Sequence, residues 1–145
     1  MATKNKYGNK TVVIDDITFD SAMEGKYYTY LKQLQTEGIV SEILTQKKYT
    51  LLEGFRKDGK KFLPITYLAD FEVHYQDGHI EVIDVKGMVT ETFAVKRKLF
   101  EYRYSHLKLR VLTFSKIDGG WIELEDLKKA RKQRRKVKEA KRKHA

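Results

Sequence analysis

The sequence predicts an α/β fold: a mixed central β-sheet flanked by helices, followed by a basic C-terminal segment that is helical or disordered. Three observations lead there. Segments with helical punctuation and β-branched or aromatic runs succeed one another in the order helix, strands, helix, strand. The strand-like runs carry apolar residues on both faces, so both faces need cover. The chain has 145 residues, 41% of them hydrophobic and 12% aromatic, which is one domain with a substantial core.

Along the chain, residues 1–10 are polar and carry Lys4, Lys6 and Lys10, giving a flexible basic arm. TVVIDDITF (11–19) reads as a short strand or hairpin. DSAMEGKYYTYLKQLQTEG (20–38) is a helix with Asp20 or Ser21 as N-cap and Gly38 as its stop. IVSEILTQKKYTLLEGF (39–55) is a strand, and RKDGKK (56–61) holds an Asp-Gly turn. FLPITYLADFEVHY (62–75) and HIEVIDVKG (79–87) are two further strands. TETFAVKRKLFEYRYSHL (90–107) is a helix whose apolar side is Phe93, Leu99, Phe100 and Tyr104. LKLRVLTFSK (107–116) is a strand closed by Asp118-Gly119-Gly120. From Trp121 onward the composition is helix-forming, with a weak stripe of Leu124, Leu127, Ala130 and Val137, and a partner would order it.

The net charge is +10, and its distribution is uneven. Eleven Lys and Arg lie between Lys128 and Lys143 beside a single acid, Glu139, while residues 1–127 are charge-balanced. Such a block is a footprint of nucleic-acid binding by counterion release. The organisation expected is therefore an arm (1–10), a folded domain (11–127) and a basic tail (128–145). The chain has no cysteine, which excludes a disulfide framework and a Cys-based zinc site. Its four histidines show no metal-ligand spacing. No stretch is apolar enough to span a membrane and the N-terminus has no signal-peptide core, so a cytoplasmic protein is expected.

The chemistry concentrates in YLADFEVHYQDGHIEVIDVKG (67–87). Asp70 and Asp84 sit in apolar runs on either side of an Asp-Gly, and register decides whether they meet. A two-residue Asp77-Gly78 loop puts Asp70 opposite Val85 and sends the two carboxylates to opposite faces. A three-residue Gln76-Asp77-Gly78 loop puts Asp70 directly across from Asp84, with Lys86 on the same face, and Gly78 suits the left-handed position of that loop. The three-residue register is expected because it gives the charges a purpose. Carboxylates about 5 Å apart repel unless a cation lies between them. Mg²⁺ takes one or two carboxylates together with waters and phosphate oxygens, and the Val85 carbonyl could add a ligand. Lys86 could hold or deprotonate an attacking water, or stabilise charge on a phosphate, so metal-assisted phosphodiester hydrolysis is implied.

Glu24 is a third carboxylate. Ser21-Ala22-Met23-Glu24 matches a capping box. Yet Glu24 shares a helix face with Tyr28 and Leu31, and that face points inward. Ligation of a metal or its water is the expectation.

With these residues placed, the sequence resembles the PD-(D/E)XK nucleases, in particular small phage-encoded proteins related to Holliday junction resolvases. The resemblance runs from about Tyr7 to Leu112 and rests on FDSAMEGKYY (19–28), YLADF (67–71), VIDVKG (82–87) and VKRKLFEYRY (95–104). It implies a restriction-endonuclease-like core with Asp70, Asp84 and Lys86 as the motif residues and Glu24 as the acid of the first helix. Asp70, Asp84, Glu24 and the Val85 carbonyl would hold Mg²⁺, with Mn²⁺ able to substitute. It further implies 5′-phosphate and 3′-hydroxyl products, and a homodimer making paired nicks. Ala69 stands where the named motif has Pro.

The expected substrate is branched DNA. Thr90, Thr92, Lys96, Arg97 and Lys98 lie just beyond Lys86 and could meet phosphates, as could Arg131, Arg134 and Arg135 in the tail. Lys96 is also near enough in sequence to assist at the site. No helix presents base-reading residues, so shape is read rather than sequence. The alternatives are a less selective nuclease on flaps, forks or linear duplex, and a non-catalytic nucleic-acid-binding protein with this fold.

Overall fold

The structure is a computed structural model and describes residues 10–144. Strands β1 (Val12–Ile14) and β2 (Ile17–Phe19) form a hairpin ahead of helix α1 (Ala22–Thr36). Next come the long strand β3 (Val40–Leu52), a small ribbon of β4 (Phe55–Lys57) and β5 (Lys60–Phe62), and β6 (Ile65–Tyr75). Strand β7 (Ile80–Val85), helix α2 (Glu91–Arg103), strands β8 (Lys108–Ser115) and β9 (Gly120–Glu123), and helix α3 (Leu124–Lys143) complete the chain. The central sheet has the order β3-β6-β7-β8-β9. Strands β7 and β8 are parallel, with α2 as the crossover, and the other neighbours are antiparallel. This is the mixed, two-faced α/β sheet expected from the sequence.

Each face has its own core. On one side α1 and the β1–β2 hairpin cover Phe71, Val73, Ile83 and Leu112 with Phe19, Tyr27, Tyr28 and Leu31. Here Gly25 lets β1 press onto the first turn of α1, since a Cβ would lie 2.6 Å from Val12 Cγ2. On the other side α2 and the start of α3 cover Tyr49, Tyr67, Val82 and Val111 with Phe93, Phe100, Leu124 and Leu127. Phe71, Leu31 and Phe100 have no exposed surface, so truncating any of them to Ala costs about 3–5 kcal/mol.

Two boundaries differ from expectation. Trp121 to Glu123 was expected to open a helix, but it forms the edge strand β9. The free edge of β8 supplies backbone partners, and Trp121 packs edge-on against Tyr27 at 4.8 Å, so tertiary context overrides helix propensity. The expected strand 62–75 is broken at Leu63-Pro64, between β5 and β6. The tail is helical as far as Lys143, and α3 passes unbroken through position 128, anchored by buried Leu124 and Leu127. Most of the expected N-terminal arm lies outside the described residues. No helix among the described residues is long and apolar enough to cross a membrane.

Candidate functional site

The β6–β7 hairpin has the three-residue register. Phe71 pairs with Ile83, Glu72 with Val82, Val73 with Glu81 and His74 with Ile80. The Tyr75 amide donates to the His79 carbonyl at 3.0 Å, closing the loop at 76–78 with Gly78 at φ +94°. Asp70 and Asp84 are the next positions outward. There the ladder stops and the strands part. The Val85 amide donates to Asp70 Oδ2 at 2.7 Å, so a side chain fills the place of a backbone partner in the fork. An extended residue points its N–H and C=O the same way, which directs the Val85 carbonyl into the fork as well.

Asp70 also marks a slip in the pleat. Tyr67 and Ala69 belong to the α2–α3 core, whereas Phe71 and Val73 belong to the α1 core, although all four share one parity. The β3–β6 ladder skips the position opposite, where Gln46 has φ +52°. This slip brings Tyr67 to Asp84, whose Oδ2 accepts the Tyr67 hydroxyl proton. Asp84 is buried, and its Oδ1 lies 3.0 Å from Lys86 Nζ. Lys86 Nζ in turn sits 4.1 Å above the Phe93 ring.

Glu24 enters from the first turn of α1. Ser21 caps the helix, accepting from the Glu24 amide at 3.1 Å, and its hydroxyl donates to Glu24 Oε1 at 3.2 Å. Burial pushes the Glu24 carboxyl up to about 7, with the charges of Asp20 and Asp84 adding to it against the Ser21 hydrogen bond. Burial likewise pushes Asp70 well above the ordinary carboxylate range, helped by Asp84 and Glu24 and opposed by the Val85 amide and Lys86. The structure thus brings Glu24, Asp70, Asp84 and Lys86 into one electrostatic neighbourhood. The result is a cluster of three carboxyls with one nearby ammonium, two of them held toward the protonated form for want of positive charge.

That cluster fits a hard divalent cation, because such an ion favours the ionised form of both raised carboxyls. Among the described residues, no group of three or more His, Cys, Asp or Glu side chains is placed to hold a metal ion. A cation in the fork would therefore need water and phosphate oxygens for the rest of its coordination.

The expected phosphate contacts divide. Thr90 is the N-cap of α2, where its oxygen accepts from the Phe93 amide at 3.1 Å, leaving only the hydroxyl proton to offer. Thr92 and Lys98 are exposed and Lys96 is half-buried. Arg97 faces Glu101 at 3.7 Å and Glu125 at 3.5 Å, so it ties α2 to α3. Between these helices lies a cleft of about 430 Å³ whose lining includes Phe93, Lys98 and Lys128. Phe93 also carries Lys86, so the cleft adjoins the fork. Arg131, Arg134, Arg135 and Lys138 line a second concavity, with Arg134 held by Asp118 at 2.6 Å.

The chain belongs to the family described as "protein of unknown function (DUF1064)", whose model matches residues 4–119. The match takes in the fork, α1 and α2 and ends at Gly119, ahead of α3. No curated protein and no solved structure matches the chain.

Sequence reasoning missed Tyr67. Strict alternation from Asp70 places it on the face away from Asp84, and the slip at Asp70 that reverses this leaves no mark in composition.

Proposed function

We propose that this protein is a divalent-metal-dependent DNA endonuclease, a Holliday junction resolvase acting on four-way junctions as a homodimer in the cytoplasm. If it is phage-encoded, that is the host's cytoplasm. The observation that carries the reading is the fork: two half-buried, under-compensated carboxyls, Glu24 and Asp70, beside Asp84 and Lys86, opening next to a cleft with exposed lysines. A bound Mg²⁺ would supply Lewis acidity and an acidified water. Asp70, Asp84 and the Val85 carbonyl would hold it, with Glu24 placed to take a ligand water.

The chain's own residues do the rest. The Val85 amide fixes one oxygen of Asp70, leaving the other to face the fork. Tyr67 and Lys86 fix the two oxygens of Asp84 from opposite sides, so its remaining lone pairs have a set direction. The Lys86 ammonium, propped on Phe93, can turn toward a phosphate oxygen and stabilise the charge that builds there. The exposed cations of α3 extend the electrostatic track away from the site.

The deciding experiment is cleavage of a labelled four-way junction beside a linear duplex of the same arm sequence, with Mg²⁺ or with EDTA. Paired, Mg²⁺-dependent nicks confined to the junction are expected. Equal cutting of both substrates discards junction selectivity, and binding without cutting under Mg²⁺ or Mn²⁺ discards the nuclease.

A further inference from the structure

The β4–β5 ribbon is absorbed by neither core. All six of its strand residues are exposed, and it packs substantially on no other helix or strand. Its base is nevertheless built to a fixed shape. A Cβ on Gly54 would lie 3.1 Å from the Phe62 carbonyl oxygen and 3.2 Å from Pro64 Cδ, so the strands cross closely where the ribbon leaves the sheet. Glu53 is fastened to α2 by Arg103 at 2.7 Å.

The pairing within the ribbon is electrostatically unfavourable. Arg56 lies opposite Lys61 and Lys57 opposite Lys60, so like charges face each other twice in three cross-strand pairs. None of these four cations is in an ion pair within the described residues, and Asp58 is the sole acid between 55 and 62. The third pair is Phe55 with Phe62, stacked at 4.7 Å with an interplanar angle of 11°, yet 46% and 42% exposed. By strand alternation, Lys57 and Lys60 share the face of the two rings.

We infer that this ribbon is a DNA-engaging arm: its opposed cations straddle phosphates, and its exposed Phe55–Phe62 pair stacks on bases unstacked at a branch point. A polyanion between the cation pairs turns a repulsive arrangement into an attractive one, which a neutral or apolar partner would not do. Paired rings within a basic ribbon match the chemistry of unpaired nucleotides, where a base face rests on an aromatic side chain. The inference deepens the nuclease reading, supplying what distinguishes branched from linear DNA. It differs in its test because binding needs no cleavage.

The test uses the full chain in EDTA, with binding read by fluorescence anisotropy on a four-way junction and on a linear duplex of the same sequence. 2-Aminopurine at the branch point reports unstacking. Replacing Arg56, Lys57, Lys60 and Lys61 by Ala together is expected to weaken binding to both substrates at least tenfold, and to lower the slope of log K against log salt by about 2–4. Phe55→Ala with Phe62→Ala is expected to weaken junction binding about tenfold, leave duplex binding within twofold and abolish the 2-aminopurine change. Asp70→Asn should leave every one of these readouts unchanged, so an inactive fork and an inactive arm are separately visible. Unaltered affinity, slope and fluorescence in both arm variants, with an unchanged melting temperature, would overturn the inference. So would loss of a dimer by sedimentation with duplex and junction affinity falling equally, which would make the arm a contact between copies.

Discussion

Asp70 and Glu72 stand two residues apart on β6, the first half-buried and the second buried, and are treated in opposite ways. Glu72 receives the Tyr49 hydroxyl at 2.6 Å, Lys47 Nζ at 2.9 Å and His74 Nε2 at 2.9 Å. Burial alone would raise its pKa, but these three donors win and hold it below the usual carboxylate range. Asp70 has one backbone amide and a more distant ammonium, against burial and two neighbouring acids, and it is driven upward. A buried carboxyl that serves the fold is given donors. One left short of them stays costly until something positive binds, which is the signature of a site rather than of a core.

The largest effect that could break this contrast is on cleavage. Asp70→Asn, Asp84→Asn or Lys86→Ala should each reduce junction cutting by at least a thousandfold, with junction affinity in EDTA within a few-fold of the parent. Parallel loss of binding or of the folded state would give these residues the structural role assigned to Glu72. Tyr67→Phe, which frees one oxygen of Asp84, should lower kcat about tenfold with KM nearly unchanged, and a change confined to KM would remove Tyr67 from the positioning of Asp84.

Stability should move the other way. Glu72→Ala leaves the buried Tyr49 hydroxyl without its partner and should cost about 2 kcal/mol, whereas Asp70→Asn in EDTA at pH 8 should leave the melting temperature unchanged or higher. Adding Mg²⁺ should raise the melting temperature of the parent and of Glu72→Ala but not of Asp70→Asn. A Mg²⁺ shift that survives Asp70→Asn places the cation elsewhere.

The smallest effects lie in the pH profile of stability. Glu24 and Asp70 have native pKa values above their ordinary 4.5 and 3.8, so the native state holds the extra protons. Metal-free stability should therefore fall as pH rises from about 3.8 through about 8. Glu72 is depressed, so its contribution is complete above about 4.5 and is lost as pH falls below that value. Denaturant midpoints in EDTA should show Asp70→Asn flattening only the upper limb and Glu72→Gln only the lower. A single variant flattening both would mean that the two carboxyls titrate as one cluster.

Much of the fork was legible because local chemistry fixes it. Gly after Asp in a three-residue loop sets the register, and register sets which charges meet. Ser21 and Gly38 bracket α1 and so aim Glu24 inward. What stayed hidden depends on partners distant in sequence. The burial of Glu72 depends on Tyr49 and Lys47, which reach it only across the β3–β6 ladder. Tyr67 required the slip opposite Gln46, and β9 required the open edge of β8. Arg97 read as a phosphate contact because Glu125, its partner, arrives only when α3 folds onto α2.

The loop at 76–78 is exposed, polar and remote from either core, the sort of place where evolution ordinarily inserts and deletes at will. Here it acts as a length gauge. Gly78 supplies its left-handed residue and Asp77 accepts from the His79 amide at 3.0 Å, and a slip of the β6–β7 pairing by one residue would turn every side chain of β7 to the other face and carry Asp84 and Lys86 away from Asp70. A turn far from the carboxyls thus sets the distance at which they meet.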